Sequence, residues 1–277
     1  MNVSTRGYVG TGDNVMIAGF VLNGGTTGKT LLLRGVGPTL AASPYNMSGM
    51  ISDPQINLVS GGTQIDSNDN WSGSGNASTL ASTAATVGAF ALANPSYDAA
   101  LLHSLSSGAY TLILSRVNGA SGNGLVEAYD TDTTHTNSNH LVNISTRAFV
   151  GTGDNVLIAG FVISGPGNKY LLIRGVGPAL APYLNGTISD PKIVLYDGNS
   201  QQLLVNDNWG SNPVNVVNDI SRMTGYVGAF PFATASYDAA LLVSLPAGVY
   251  SVQMSGVNGC MGIGMVEVYE INSFNNN

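Results

Sequence analysis

Charged side chains are the first candidates for chemistry in this chain, because they are few and several of them recur. The 277 residues include nine Lys or Arg and 16 Asp or Glu. Charges retained in both halves of such a chain are expected to have partners. The recurrent acids are Asp13/Asp154, Asp53/Asp190, Asp69/Asp207, Asp98/Asp238 and Glu127/Glu267, and the recurrent arginines are Arg6/Arg147 and Arg34/Arg174.

The arginines favour a structural interpretation. Arg34 stands at the end of an apolar run, where a guanidinium without a partner would be costly. We predict that it is buried and binds Asp98 or Glu127, or caps backbone carbonyls, and that Arg174 does the same in the second half. The predicted set of structural ion pairs is Arg6, Arg34, Asp98, Glu127, Arg147, Arg174, Asp238 and Glu267.

Calcium binding is the alternative use of these acids, because Ca²⁺ takes hard oxygen ligands. Asp53, Asp69 and nearby loop carbonyls could supply such ligands. The run from Asp66 to Asn70 places oxygen-bearing side chains at alternate positions, although Leu203-Leu204-Val205 occupies the matching region of the second half. The candidate calcium ligands are Asp53, Asp66, Asp69, Asp190 and Asp207, and no other cofactor is predicted.

Enzyme chemistry finds little support in the other residues. His103 matches Val243, and His135 and His140 flank a linker, so no Ser-His-Asp triad or zinc site recurs. Residues 23–30 read NGGTTGKT, but they lack the first glycine of a phosphate loop and precede a strand-like run. A glycosidase carboxylate pair would need a cleft and a raised pKa. We therefore predict a non-catalytic protein.

Aromatic side chains could form a platform that stacks on sugar rings. Most of them recur inside strand-like patterns, which is typical of core residues. Trp71 and Trp209 lie in loops beside Asp and Asn, so each either plugs the core or faces a ligand. The aromatic pairs assigned to the core are Tyr8/Phe149, Phe20/Phe161, Phe90/Phe230, Tyr97/Tyr237, Tyr110/Tyr250 and Tyr129/Tyr269.

The sequence segments that must position these residues occur twice in the chain, once in each half. RGVGP begins at Arg34 and again at Arg174, and SYDAALL begins at Ser96 and again at Ser236. NDNW likewise occurs in both halves. A repeat of domain size can carry its own core. We predict two similar domains, residues 1–130 and 140–277, joined by a polar linker over residues 131–139.

Short apolar runs alternate with Gly, Asn, Asp and Pro along each copy, which indicates strands joined by turns. About eight strands per copy, with turn signals between them, are typical of a sandwich. We predict an all-β chain of two tandem jelly-roll or Greek-key β-sandwiches that arose by internal duplication. Helix is expected at residues 78–86 and 214–223, as surface connections.

Several strings carry a family resemblance. DPKIVLYDG from Asp190, VNDNW from Val205, LPAGVYSV from Leu245 and GMVEVYE from Gly264 resemble bacterial pre-peptidase C-terminal (PPC)-type β-sandwich modules. They resemble still more a tandem Gly-rich β-sandwich module of bacterial secreted and surface proteins, which carries the same RGVGP and NDNW strings. The resemblance covers both copies nearly end to end. It implies a secreted, non-catalytic sandwich used as a structural or accessory unit.

Low charge narrows the expected partners. The formal net charge is −7 and there is no basic cluster, which argues against nucleic acid. No apolar segment is long enough to span a membrane. Cys260, the one cysteine, cannot form a disulfide within the chain. We expect an extracellular or cell-surface protein, and a mature or trimmed chain because no signal peptide precedes Asn2.

Two functions remain open on the sequence alone. The first is a structural protein that self-associates as a surface or fibre subunit, because exposed sheet edges can pair with a neighbour. Residues 271–277 could occupy the edge ahead of Asn2 in the next molecule and give a head-to-tail polymer. The second is a carbohydrate- or calcium-binding accessory or adhesion module with a polysaccharide partner.

Overall fold

The computed structural model describes residues 2–25, 27–117, 121–132 and 140–271. Contacts divide the chain into two compact units, Met1–Val142 and Asn143–Asn277, so that the division falls within one long strand. Most of the predicted linker, residues 133–139, lies outside the described residues. The same holds for residues 272–277, which carry the predicted head-to-tail contact.

The first unit is a jelly roll of two four-stranded antiparallel sheets. Its elements are β1 (Asn2–Val9), β2 (Met16–Asn23), β3 (Lys29–Val36), α1 (Pro38–Ala41), β4 (Pro54–Ser60), β5 (Thr63–Asn68), α2 (Ala77–Thr86), β6 (Ala99–Leu105), β7 (Gly108–Arg116) and β8 (Gly122–Asp130). One sheet has the order β1-β8-β3-β6 and the other β2-β7-β4-β5. The all-β sandwich prediction is confirmed.

The second unit has the same strand order. Its elements are β9 (His140–Val150), β10 (Leu157–Ile163), β11 (Lys169–Val176), β12 (Pro191–Asp197), β13 (Gln202–Asn206), α3 (Val214–Tyr226), β14 (Ala239–Leu245), β15 (Gly248–Gly256) and β16 (Gly262–Ile271). The sheets run β9-β16-β11-β14 and β10-β15-β12-β13. Strands β2, β4, β10 and β12 alternate buried with half-buried residues, as expected where one face of a sheet meets the core.

Strand β3 is buried on both faces, which explains its unbroken apolar run. A Cβ on Gly35 would touch Ile56 and Leu114 of the opposite sheet, so Gly35 faces the sandwich interior. Alternation then places Leu32 and Arg34 on the outer face of the sheet. A third layer covers that outer face.

This third layer is formed by the predicted helices. In the first unit Leu80 of α2 and Trp71 pack on Leu32, and in the second Ile220 of α3 and Trp209 make the equivalent cluster. Helix was expected at both places, but as a surface connection, whereas one face of each helix is buried. No helix among the described residues is both long and apolar enough to cross a membrane.

Candidate functional site

Arg34 lies on the outer face of β3, directly across from Glu127 on β8. Its Nε and Nη2 donate to Glu127 Oε2 at 2.8 and 2.5 Å, and its Nη1 donates to the carbonyl of Phe90 at 2.6 Å. The Phe90 ring centroid is 4.3 Å from the guanidinium, and the Tyr129 hydroxyl donates to Glu127 Oε1 at 2.6 Å. Both charges are buried and well compensated.

Arg174 occupies the same place in the second unit, opposite Glu267, but its contacts differ. Its Nη1 donates to the carbonyl of Phe230 at 2.8 Å. Its Nε lies 3.1 Å from Glu267 Oε2, close enough for an ion pair but outside hydrogen-bond geometry. The rings of Phe230 and Phe232 lie 4.6 and 4.0 Å from the guanidinium. Burial raises the pKa of Glu267 and lowers the pKa of Arg174.

Asp98 and Asp238 belong to the predicted ion-pair set, and this assignment is corrected by the structure. Asp98 accepts hydrogen bonds from the amides of Gly37 and Thr39 at 2.8 and 3.1 Å, and from the hydroxyl of Ser96 at 2.7 Å. Asp238 makes the equivalent bonds to two amides and a serine hydroxyl. Each carboxylate fixes the turn that follows β3 or β11, because free amides at the start of a short helix favour an anion.

The glycines of RGVGP are needed where this turn passes close to another loop. A Cβ on Gly37 would collide with the backbone carbonyl of Ile51, and a Cβ on Gly177 would collide with that of Ile188. The amide of each glycine binds the buried aspartate. Glycine therefore permits the close approach that brings the amide to its acceptor.

Trp71 and Trp209 are buried, each only 5% exposed, so the ligand-platform alternative for them is wrong. The indole Nε1 of Trp71 donates to the carbonyl of Ala93 at 3.2 Å, and that of Trp209 donates to the carbonyl of Ala233 at 3.1 Å. A ring of this size under a helix stabilises its unit mainly through burial of apolar surface, and its N–H donates to a backbone carbonyl.

The recurrent strings therefore converge beneath one irregular segment in each unit. We call these tethered segments: residues 87–98 in the first unit and residues 227–238 in the second, each running from a helix to the next strand. RGVGP supplies the arginine and NDNW the tryptophan that bind carbonyls of the segment. SYD lies within the segment and supplies the aspartate that binds the amides of the RGVGP turn. A segment without ladder hydrogen bonds is thereby fixed in one conformation.

The outer side of each tethered segment borders a surface recess that carries an exposed tyrosine. Tyr97 is 61% exposed and Tyr237 is 58% exposed, so their assignment to the core is wrong. Each tyrosine stands two residues before its strand begins, outside the strand pattern from which the core assignment was made. We call these two concavities the tyrosine recesses. Their volumes are about 410 Å³ beside Tyr97 and about 610 Å³ beside Tyr237.

The candidate calcium ligands are less closely grouped than the hypothesis requires. Among the described residues no three Asp, Glu, His or Cys side chains gather as a metal site would need. Asp66 lies 2.9 Å from the Nδ1 of His103. Burial raises the pKa of Asp190, and the negative charge of Asp207 raises it further.

The remaining candidates, Arg6 and Arg147, occupy matching half-buried positions on β1 and β9. They stand opposite Leu125 and Met265 in the strand register. Asp53 and Asp190 each bury one carboxylate oxygen that finds no hydrogen-bond partner among the described residues. Asp69, like Asp53, is half-buried.

Strand β13 forms an apolar sheet edge in the second unit. It pairs with β12 on one side, and within this unit no other described strand pairs with it. Leu203, Leu204 and Val205 are all exposed, Val205 by 50%. The matching edge strand of the first unit, β5, carries Asp66 and Ser67 opposite the same positions of its neighbour.

No protein-family model matches the chain, and no curated protein matches it. Among solved structures, the chain is similar to one described as "Crystal Structure of the STIV MCP". The identity is 9%, the TM-score is 0.22, and the match covers 98% of this chain and 91% of that chain. A TM-score this low does not establish a common fold.

Proposed function

We propose that this chain is a non-catalytic structural protein of an extracellular or cell-surface layer, and that it self-associates through β13. The observation that carries the proposal is the apolar edge formed by Leu203, Leu204 and Val205. An exposed edge strand presents unpaired N–H and C=O groups to a neighbouring chain, and proteins that remain monomeric usually protect such edges with charge or proline.

The first unit supports this interpretation because its own edge is protected in the usual way. Asp66 and Ser67 occupy the positions of Leu204 and Val205, and His103 stands beside Asp66 where the second unit has Val243. Two units with one strand order therefore differ in the property that decides whether an edge can pair. Because both units share the fold, the fold alone does not explain why the edge strand of the second unit is apolar.

The recurrent charged residues support a structural rather than a catalytic role. Arg34, Glu127 and Asp98 are buried. Arg34 binds Glu127 and the backbone carbonyl of Phe90, and Asp98 accepts from backbone amides. The same positions in the second unit are also buried. The retained arginines of RGVGP and aspartates of SYD thus hold the tethered segments in place. We also propose that the chain is related to the tandem Gly-rich surface modules that its strings resemble.

The geometry of association follows from the edge. Antiparallel pairing of two β13 strands is a two-fold contact, so it closes as a dimer. A few strand hydrogen bonds contribute about 0.5–1.5 kcal/mol each, and the exposed leucines and valine add burial. A fibre would need a second, head-to-tail contact, and residues 271–277 remain our hypothesis for it.

Sedimentation velocity over a concentration series tests the proposal. The informative variant is Leu204→Asp/Val205→Ser, which copies the edge of the first unit and therefore respects the fold. We expect wild type to associate as its concentration rises. We expect this variant to remain monomeric at concentrations at least tenfold higher than those at which wild type associates. Val214→Ser is the matched control, because it removes an exposed valine from α3 and leaves the edge intact. A monomeric wild type, or equal association of the edge variant, would refute β13 pairing.

A further inference from the structure

We propose that the tyrosine recesses bind neutral, hydroxyl-rich ligands, namely sugar units of an uncharged polysaccharide, with one site in each unit. This proposal is independent of self-association through β13. It gives a role to recurrent tyrosines that remain exposed in both units, whereas the recurrent tryptophans are buried.

The chemistry of the larger recess suits a sugar ring. Tyr183 is 77% exposed and borders the recess together with Tyr237, while Pro178, Pro182 and Pro231 supply rigid apolar walls. A tyrosine offers an apolar ring that can stack on the C–H face of a sugar and a hydroxyl that can donate or accept. The volume of about 610 Å³ falls within the range of about 300–1,000 Å³ typical of small-ligand sites.

The absence of charge in the lining selects the class of ligand. All the residues that line the recess in the second unit are Pro, Ala, Tyr, Phe or Ser. The carboxylate of Asp238 lies beneath the recess, but it is buried and bound to the amides of Gly177 and Ala179. An anionic or cationic ligand would lose water without gaining an opposite charge from the lining, which is unfavourable. A neutral ligand incurs no such cost.

The recess is held in shape before any ligand arrives. Arg174 holds the carbonyl of Phe230, Trp209 holds that of Ala233, and Asp238 binds the hydroxyl of Ser236. These bonds fix the tethered segment that forms one side of the recess. Preorganisation of this kind favours binding because the ordering cost has already been met in the free protein.

The first unit repeats the arrangement with a smaller recess. Pro38, Ala42, Pro95 and Tyr97 border a volume of about 410 Å³. Tyr45, the counterpart of Tyr183, packs against Phe90 with ring centroids 5.4 Å apart, so less of it is available. The second unit should therefore be the stronger site. A polymeric ligand that engages both sites would bind more tightly than either site alone.

A proline-rich peptide is the competing occupant, because aromatic grooves also bind polyproline II helices. The indole N–H groups that could donate to a peptide carbonyl are already used, since Trp71 and Trp209 bind backbone carbonyls beneath the surface. The polar side chains that line the recess of the second unit are hydroxyls, which suits a hydroxylated partner better.

Binding is tested on the full chain with named probes. Affinity electrophoresis in gels containing soluble neutral polysaccharides (amylose, xylan, galactomannan, laminarin) identifies a ligand, and calorimetry with its hexasaccharide measures affinity. We expect the protein to bind at least one neutral polymer and not to bind polygalacturonate. Tyr237→Ala should weaken the hexasaccharide at least tenfold, whereas Tyr237→Phe should retain most of the affinity because the ring is kept.

Two further measurements separate binding from folding and from association. The Tyr237→Ala variant should keep the wild-type melting temperature, because more than half of this side chain is exposed. The edge variant Leu204→Asp/Val205→Ser should bind the hexasaccharide as wild type does. The proposal is overturned if no neutral polymer binds, if Tyr237→Ala binds unchanged, or if only polygalacturonate or a decaproline peptide binds.

Discussion

The arginine sites of the two units differ although the strands around them are arranged alike. Arg34 donates two hydrogen bonds to Glu127 and lies 4.3 Å from the ring of Phe90 and 5.7 Å from that of Tyr129. Arg174 makes a longer ion pair with Glu267 and lies against two phenylalanine rings, at 4.6 and 4.0 Å. The additional phenylalanine ring is that of Phe232. The second unit thus replaces part of the hydrogen bonding of the guanidinium with cation–π contact.

The second unit has Phe232 where the first unit has Leu92, and this difference also changes the packing under the helices. In the first unit a cavity of about 90 Å³ remains beneath α2, lined by Leu92, Leu80 and Ala84 among others. In the second unit Phe232 and Met223 belong to the corresponding apolar cluster. The leucine at this position of the first unit therefore accompanies good hydrogen-bond geometry and a cavity, and the phenylalanine of the second unit accompanies a longer ion pair outside hydrogen-bond geometry.

The largest expected effect comes from removing the arginines. Arg34→Met should destabilise the first unit by about 3–5 kcal/mol, because it leaves Glu127 buried with its main partner gone. Arg174→Met should cost the second unit less, because Glu267 already has poor geometry with Arg174 and methionine packs well between two phenylalanine rings. Denaturant unfolding measures both differences.

Tryptophan fluorescence separates the two transitions. The chain has two tryptophans, Trp71 in the first unit and Trp209 in the second, and both are buried. Trp209→Phe leaves a reporter in the first unit, and Trp71→Phe leaves one in the second. Equal losses for the two arginine variants would show that hydrogen-bond geometry does not distinguish the two sites.

The buried aspartates give the next largest effect. Asp238→Ala should lower the free energy of unfolding of the second unit by about 2–3 kcal/mol, since buried donors lose a charged acceptor. Asp98→Ala should cost the first unit about 1 kcal/mol more, because Asp98 also binds the hydroxyl of Thr39 where the second unit has Ala179. Thr39→Ala serves as the control background. Because the Thr39 hydroxyl, which also accepts from the amide of Ala93, is then already absent, Asp98→Ala in that background should cost no more than Asp238→Ala does in the second unit.

Much of this organisation could be predicted from the sequence, because recurrence marks the residues that the fold requires. The run Leu31-Leu32-Leu33 predicts a strand, and Arg34 at its end predicts a buried charge with a partner. The choice between Glu127 and Asp98 could not be made, since it depends on register: Glu127 stands directly across from Arg34 in the sheet. Strand register is set by tertiary packing as well as by local pattern.

The exposure of particular aromatic residues was harder to predict. Tyr97 recurs beside a strand, which suggested the core, but it is exposed in the structure. Trp71 recurs in a loop, which left a core position and a ligand-facing position open, and the structure buries it. The sequence signal that could have predicted the exposure of Tyr97 is Pro95, which marks an irregular segment, so that Tyr97 stands before strand β6 and not in it. The third layer of α2 over the sheet, which buries Trp71, is a tertiary feature that local patterns do not reveal.

Exchanging the residue at the Phe232 position should produce a smaller effect with opposite signs in the two units. Leu92→Phe should fill the cavity beneath α2 and stabilise the first unit by up to about 1 kcal/mol. Phe232→Leu should open space near Arg174 and destabilise the second unit by about 1–2 kcal/mol. Thermal unfolding of the single-tryptophan proteins measures both. If Leu92→Phe destabilises the first unit instead, the ring must be displacing Arg34 from Glu127.

The smallest expected effect concerns Asp190 and Asp207. Burial, together with the charge of Asp207, raises the pKa of Asp190 above its ordinary value of 3.8. The folded second unit therefore keeps a proton that the unfolded chain releases, so its free energy of unfolding falls as pH rises above 3.8, by no more than about 1.4 kcal/mol per pH unit for one proton. Asp207→Asn removes the contribution of the neighbouring charge and should reduce this slope, as measured by urea unfolding of the Trp71→Phe protein between pH 3.5 and 7. A slope that Asp207→Asn leaves unchanged would show that burial alone sets the pKa of Asp190. The same titrations repeated with calcium test the metal hypothesis, because a cation bound between the two ionised carboxylates would raise the free energy of unfolding of wild type at pH values above the folded pKa of Asp190 and would have little effect in Asp207→Asn.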